Sequence, residues 1–185
     1  MCDLHHLDNP LTQALSLLEV AEFGCLVFSS CPHYITLFSS LLPCFYLPTD
    51  IDLSQWEPAD DVDQWLTRPV RLHLDGKPLS SLHPTRSYLI NTLYASFGHQ
   101  IILPDCKQRS RDDWLVRLGE SQIVVQCGLN GNAHPPFLAA MAKGSIPLID
   151  SLSSWTLSRI LGVNLSHLTY RSPSHLVSIL QLSPK

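Results

Sequence analysis

From residue 70 onward, short apolar runs alternate with segments of helical period, and this constrains the fold more than any other feature of the chain. Val70-Arg71-Leu72-His73-Leu74 reads as a strand ended by Asp75-Gly76. Pro84 suits a first helical turn, and Tyr88, Leu89, Leu93, Tyr94 and Phe97 form a helical stripe ended by Gly98. A strand over 100–103 stops at Pro104. Asp112-Asp113 start a helix ended by Gly119, and Ile123-Val124-Val125 is the next strand. Pro135-Pro136 open a helix over 137–141 ended by Gly144, and 146–149 is again a strand. Ser153-Ser154 suit the cap of a helix ended by Gly162. Leu168-Thr169-Tyr170 is a last short strand, and Pro173 starts a final helix. Strands this short and apolar, with helices between them, predict parallel βαβ units. The fold class is α/β, with a Rossmann-like, doubly wound, mostly parallel sheet.

The first 50 residues read as an N-terminal βα fragment. Helices are expected from Asn9-Pro10 to about residue 21 and over roughly 33–42, and strands at 25–28 and 45–47. Residues 51–69 read as an acidic, proline-containing linker with at most a turn of helix near Trp65. Asp52, Asp60, Asp61 and Asp63 collect there, and Pro58 and Pro69 interrupt it. Residues 70–185 form the Rossmann-like domain.

Composition narrows the function classes. The 185 residues suit one domain, or one and a fraction. A net charge of −4 argues against a nucleic-acid footprint. No run approaches the ~20 apolar residues of a membrane span. The start, Met1-Cys2-Asp3, lacks the basic cluster of a secretory signal. Cys2, Cys25, Cys31, Cys44, Cys106 and Cys127 form no C-x-x-C pair, so reduced thiols and a cytoplasmic location are expected. The nine histidines show no ligand spacing, and no metal site is expected. Trp56, Trp65, Trp114 and Trp155 lie far apart, and core packing is their expected role.

Ligands of open parallel sheets bind at the carboxyl ends of the strands. Here those ends are Asp75-Gly76-Lys77, Pro104-Asp105, the loop from Cys127 to His134, and Asp150-Ser151. The loop holds Gly128, Gly131, Asn130 and Asn132 and leads into a helix, an arrangement that attracts phosphate. Pro135 and Pro136 remove two N–H donors from that helix start. The competing reading is a connection that needs positive φ at its glycines. Lys77, Arg86 and Lys143 are candidate diphosphate partners or solvated charges. His134 is a candidate donor. Asp75, Asp105 and Asp150 suit a ribose hydroxyl, or the capping of the next helix. No P-loop and no G-x-S-x-G elbow exists in the chain.

Two segments together resemble a known family. Phe137-Leu138-Ala139-Ala140-Met141-Ala142-Lys143-Gly144-Ser145-Ile146-Pro147-Leu148-Ile149 is similar to the helix-plus-strand signature of GT-B fold, group 1 (family 4-like) retaining glycosyltransferases. That signature runs roughly L-E-A-M-A-x-G-x-x-P-V-I. Upstream, Cys25 to Ser30 and then Tyr46-Leu47-Pro48-Thr49-Asp50-Ile51-Asp52-Leu53-Ser54-Gln55-Trp56-Glu57-Pro58 resembles the interdomain passage of the same enzymes. The resemblance covers most of residues 20–182. It implies that 70–185 is a nucleotide-sugar-binding GT-B half-domain, that 1–50 is the end of an acceptor half, and that 51–69 is the hinge.

The resemblance further implies transfer of a glycosyl group without metal or cofactor, the departing diphosphate being held by a helix dipole and basic side chains. The implied partners are a nucleotide sugar donor and an acceptor-domain chain. Gly76 and Lys77 match the family's Gly-Arg, and Arg86 lies near its second basic residue. Gly131, Asn132 and His134 would lie over the donor sugar, with the helix carrying Phe137 facing the diphosphate. Gly131 and Ala139 stand where the family carries two Glu residues, and an Ala cannot hold a ribose. The motif is thus degenerate and the form truncated by one βα unit. No catalytic residue is assigned. The alternatives are a non-catalytic Rossmann-like interaction or regulatory module, and another nucleotide- or phosphate-binding α/β protein.

Overall fold

A computed structural model describes residues 18–19, 22–24, 26–29, 35, 39–40, 43–46, 61–75, 84–102, 110–126 and 134–182. Most of the two N-terminal helices expected from sequence, and the strand end at Leu103, lie outside the described residues. The chain divides into two compact units, Met1–Thr49 and Asp50–Lys185. In the first, β1 (Val27–Ser29) pairs in parallel with β2 (Cys44–Tyr46), and the Phe28 and Phe45 rings lie 5.7 Å apart.

The second unit is built on five parallel strands. β3 (Val70–Asp75), β4 (Ile101–Ile102), β5 (Ser121–Gln126), β6 (Ile146–Asp150) and β7 (Thr169–Tyr170) lie in the order β4-β3-β5-β6-β7. The helices are α1 (Val62–Leu66), α2 (Pro84–Phe97), α3 (Arg111–Glu120), α4 (His134–Ala142), α5 (Ser151–Leu161) and α6 (Pro173–Leu182). The unit is therefore a Rossmann-like α/β sheet with helices on both faces. No helix among the described residues is long and apolar enough to cross a membrane.

Strand alternation sorts the core into two layers. Leu72, Leu74, Ile123, Val125, Leu148 and Tyr170 face α2 and α6, where Leu89, Leu93, Leu176 and Leu180 meet them. The residues between them face the other way. Val124 packs with Leu115 and Leu118 of α3 and Ala140 of α4, and Ile149 packs with Phe137 of α4 and Leu157 of α5. Burial on both faces explains why β5 reads as an apolar run rather than as a polar–apolar alternation.

Caps set the helix starts. Ser110 accepts from the Asp113 amide, and Asp112 and Asp113 complement the dipole in the first turn of α3. α5 starts earlier than Ser153-Ser154 suggest. The Asp150 carboxylate takes both the Leu152 and Ser153 amides, and a carboxylate outcompetes a hydroxyl there because it accepts two N–H groups at once. α5 ends at Gly162 in the left-handed region, φ +66°.

The segment 61–69, expected within the linker, is fastened to the amino edge of the sheet. Asp61 and Gln64 form a capping box on α1. Trp65 Nε1 donates to the Gln122 carbonyl at 3.0 Å, and Gln122 Nε2 donates back to the Leu66 carbonyl at 2.9 Å. Arg68 donates from Nη1 to the Ser121 carbonyl at 2.9 Å and from Nη2 to the Lys143 carbonyl at 3.0 Å. The buried Ser145 hydroxyl reaches the Leu118 and Ser121 carbonyls and completes the cluster. One side chain thus joins the approach to β3, the start of β5 and the turn before β6.

Candidate functional site

The order β4-β3-β5-β6-β7 reverses direction between β3 and β5. From β3 the chain crosses outward to β4, then returns past β3 to β5 and continues to β6 and β7. Open α/β sheets bind ligands in the crevice this reversal leaves at the carboxyl ends. The two strands bordering it end at Asp75 and Gln126, which are register partners.

Both side chains share a sheet face. Gln126 follows Val125, which packs toward α2 and α6, so it points with Val124 toward α3 and α4. Asp75 lies on that same face, because Trp114 of α3 donates from Nε1 to its Oδ1 at 3.0 Å. The second Asp75 oxygen has no hydrogen-bond partner among the described residues. Gln126 is 3% exposed, and neither its Oε1 nor its Nε2 finds a partner among the described residues. A buried carboxamide normally satisfies both atoms, so this one is an exception that calls for a reason. The backbone around it is secured. Tyr170 reaches across from β7 and donates its hydroxyl to the Gln126 carbonyl at 2.8 Å, which holds the last residue of β5 in place.

The residues singled out from sequence distribute as follows. Gly76, Lys77, Gly131 and Asn132 lie outside the described residues, as does the side chain of His134, whose backbone opens α4. Arg86 is buried in the first turn of α2, which follows the carboxyl end of β3. Phe137 directs its ring into the core against Ile149, Leu157 and Leu165 and is 0% exposed, so it offers no surface to a ligand. Ala139 packs, partly buried, on the α3 cluster beside Ala140 and Trp114. Asp150 is committed to its cap, with both oxygens bonded.

The structure corrects one expectation about the tryptophans. Trp155 is 59% exposed, with the Arg159 guanidinium 4.9 Å from its ring centroid. The sequence reasoning also missed three features: Gln126, the Tyr170 tether, and the Trp114–Asp75 bond. The available signal for the first was a polar residue closing an apolar strand.

Two hollows lined by described residues flank the sheet elsewhere. One of about 860 Å³ lies at the amino end of β3, beside Arg71, Phe97 and Gln100, away from the carboxyl edge. Another of about 510 Å³ runs along edge strand β7, lined by Ser151, Ser154, Trp155, Asn164, Arg171 and His175. No cluster of three or more His, Cys, Asp or Glu side chains suited to a metal occurs among the described residues. No family model, curated protein or solved structure matches this chain.

Proposed function

We propose that the domain over 70–185 binds a nucleotide sugar at the β3/β5 crevice, as the donor-binding portion of a glycosyltransferase-like protein. The observation that supports it best is the coincidence of place. β5, one of the two strands at the reversal point of an all-parallel sheet, leads into α4, which carries the start of the segment resembling the glycosyltransferase signature. Counted along the chain the strand order is 2-1-3-4-5, that of a doubly wound sheet with its switch point between the first and third strands. Arg86, buried in the first turn of α2, is a fixed cation for the phosphates. The start of α4 adds a partial positive charge. If a glycosyl group is transferred, these groups stabilise the departing diphosphate, and an acceptor-binding chain is the expected partner.

One observation favours binding without transfer as the second reading. Ala139 faces the α3 cluster and offers no oxygen to a ribose. A module that keeps the fold and a weakened ligand site would look like this.

Thermal unfolding with a panel of nucleoside diphosphates and their sugars tests the proposal. A ligand of the native state present at a hundred times its Kd adds about 2.7 kcal/mol. For a unit of this size that raises the midpoint by roughly 7–13 °C. A rise that grows with sugar nucleotides supports donor binding. A flat response to millimolar concentrations of every member leaves the interaction module instead.

A further inference from the structure

We propose that Asp75 and Gln126 hold the nucleoside end of the ligand, so that the phosphates lie away from the β3/β5 crest. This deepens the donor-binding reading and rests on it. The two side chains are neighbours in register, share a face, and end the two strands that border the crevice. What they offer decides what they accept. Gln126 presents one acceptor and one donor in a single plane, both buried and both without a partner among the described residues. One phosphate would satisfy Nε2 and set its negative oxygens against Oε1. A planar amide-like edge, as on a nucleobase, satisfies both atoms with one partner. Asp75 reinforces the choice. Trp114 occupies its Oδ1, and the remaining oxygen accepts a hydroxyl or N–H but repels a phosphate. The crest is therefore selective for an uncharged, donor-bearing group. The cation of the site, Arg86, stands on a different element, at the start of α2. A ligand with a base at one end and a diphosphate at the other fits this polarity in one direction only.

An unpaired buried amide is also costly to the free protein, because its desolvation is not offset by bonds. Replacement by an apolar side chain of similar length removes that cost. Gln126→Met is therefore expected to be at least as stable as the parent without ligand, while binding uridine, guanosine or their diphosphates at least tenfold more weakly, for whichever base the parent prefers. Its affinity for inorganic pyrophosphate should stay within twofold of the parent. Calorimetry with nucleoside, nucleoside diphosphate and pyrophosphate on both proteins reads all three quantities. The inference is overturned if Gln126→Met melts several degrees lower, as loss of a well-bonded amide would require. Unchanged nucleoside affinity, or an equal loss for pyrophosphate, would overturn it as well. Asp75→Asn keeps an acceptor for Trp114 and supplies an independent arm. It should leave pyrophosphate binding within twofold, and a tenfold gain would put the phosphates at the crest. If the parent binds no nucleotide at all, the donor reading itself fails and takes this inference with it. Binding by the parent with no effect in the variants removes the inference alone.

Discussion

Replacing Arg68 by Met tests whether one side chain fastens the segment before β3 to the rest of the sheet. Met retains much of the length and apolar stem but donates nothing. The guanidinium makes two bonds to main-chain carbonyls, to Ser121 at 2.9 Å and Lys143 at 3.0 Å, and a longer contact to Ser145 Oγ at 3.3 Å. A bond from a charged donor contributes about 1.5–3 kcal/mol when buried. Arg68 is only half-buried, so the lower part of that range applies, and the pair is worth about 2–4 kcal/mol after allowance for solvent. Against a typical total of about 5–15 kcal/mol this is a large fraction. For a unit of this size it corresponds to a midpoint lowered by roughly 6–16 °C. Thermal circular dichroism reads the shift, and urea unfolding followed by tryptophan fluorescence supplies an independent free energy. Trp65, one of the four indoles that contribute to that signal, lies beside the change, because it bonds the neighbouring Gln122 carbonyl. Arg68→Lys should recover about half of the loss, since a single ammonium lacks the fork that spans two carbonyls. A midpoint for Arg68→Met within about 2 °C of the parent would refute the fastening role.

Two further substitutions probe the same framework from other sides. Tyr170→Phe removes the hydroxyl that donates to the Gln126 carbonyl, so unfolding free energy should fall by about 0.5–1.5 kcal/mol. Chemical denaturation measures it, and a loss below about 0.3 kcal/mol would show that the tether carries no weight. Gly144→Ala meets two obstacles at once: φ is +71°, and the added Cβ would lie 2.7 Å from Arg68 Nη2. The left-handed backbone alone costs about 1 kcal/mol, and displacing Arg68 adds part of the loss worked out above. The double variant with Arg68→Met should therefore be less destabilised than the sum of the two, and strict additivity would contradict the contact.

The predicted alternation of strands and helices from residue 70 onward agrees with the elements of the second unit because its signals are local. Apolar period, Pro at helix starts and Gly at helix ends lie within a few residues of the element they mark. Gly162 and Pro173 show this directly, at the end of α5 and the start of α6. Misreadings arose where two local signals competed or where a side chain's direction mattered. Asp150 displaced Ser153-Ser154 as the cap of α5 because it takes two amides. Trp114 and Trp155 look alike as isolated aromatics. One is half-buried and bonds Asp75, and the other stands in solvent beside Arg159. Nothing in spacing separates them, since each depends on which neighbour the helix meets.

Amino-acid order alone was enough for the α/β class, for the succession of elements from residue 70 and for Asp75 as a residue at a strand's carboxyl end. It was silent on which strands adjoin. Strand neighbours are chosen by crossovers that bring together residues far apart in the chain, so the reversal between β3 and β5 exists only once the sheet is assembled. The pairing of Asp75 with Gln126 follows from that assembly, as does the reach of Tyr170 from β7 to the end of β5. Gln126 owes its burial and its unpaired amide to layers packed on both faces of the sheet, a property that no window of sequence around residue 126 contains.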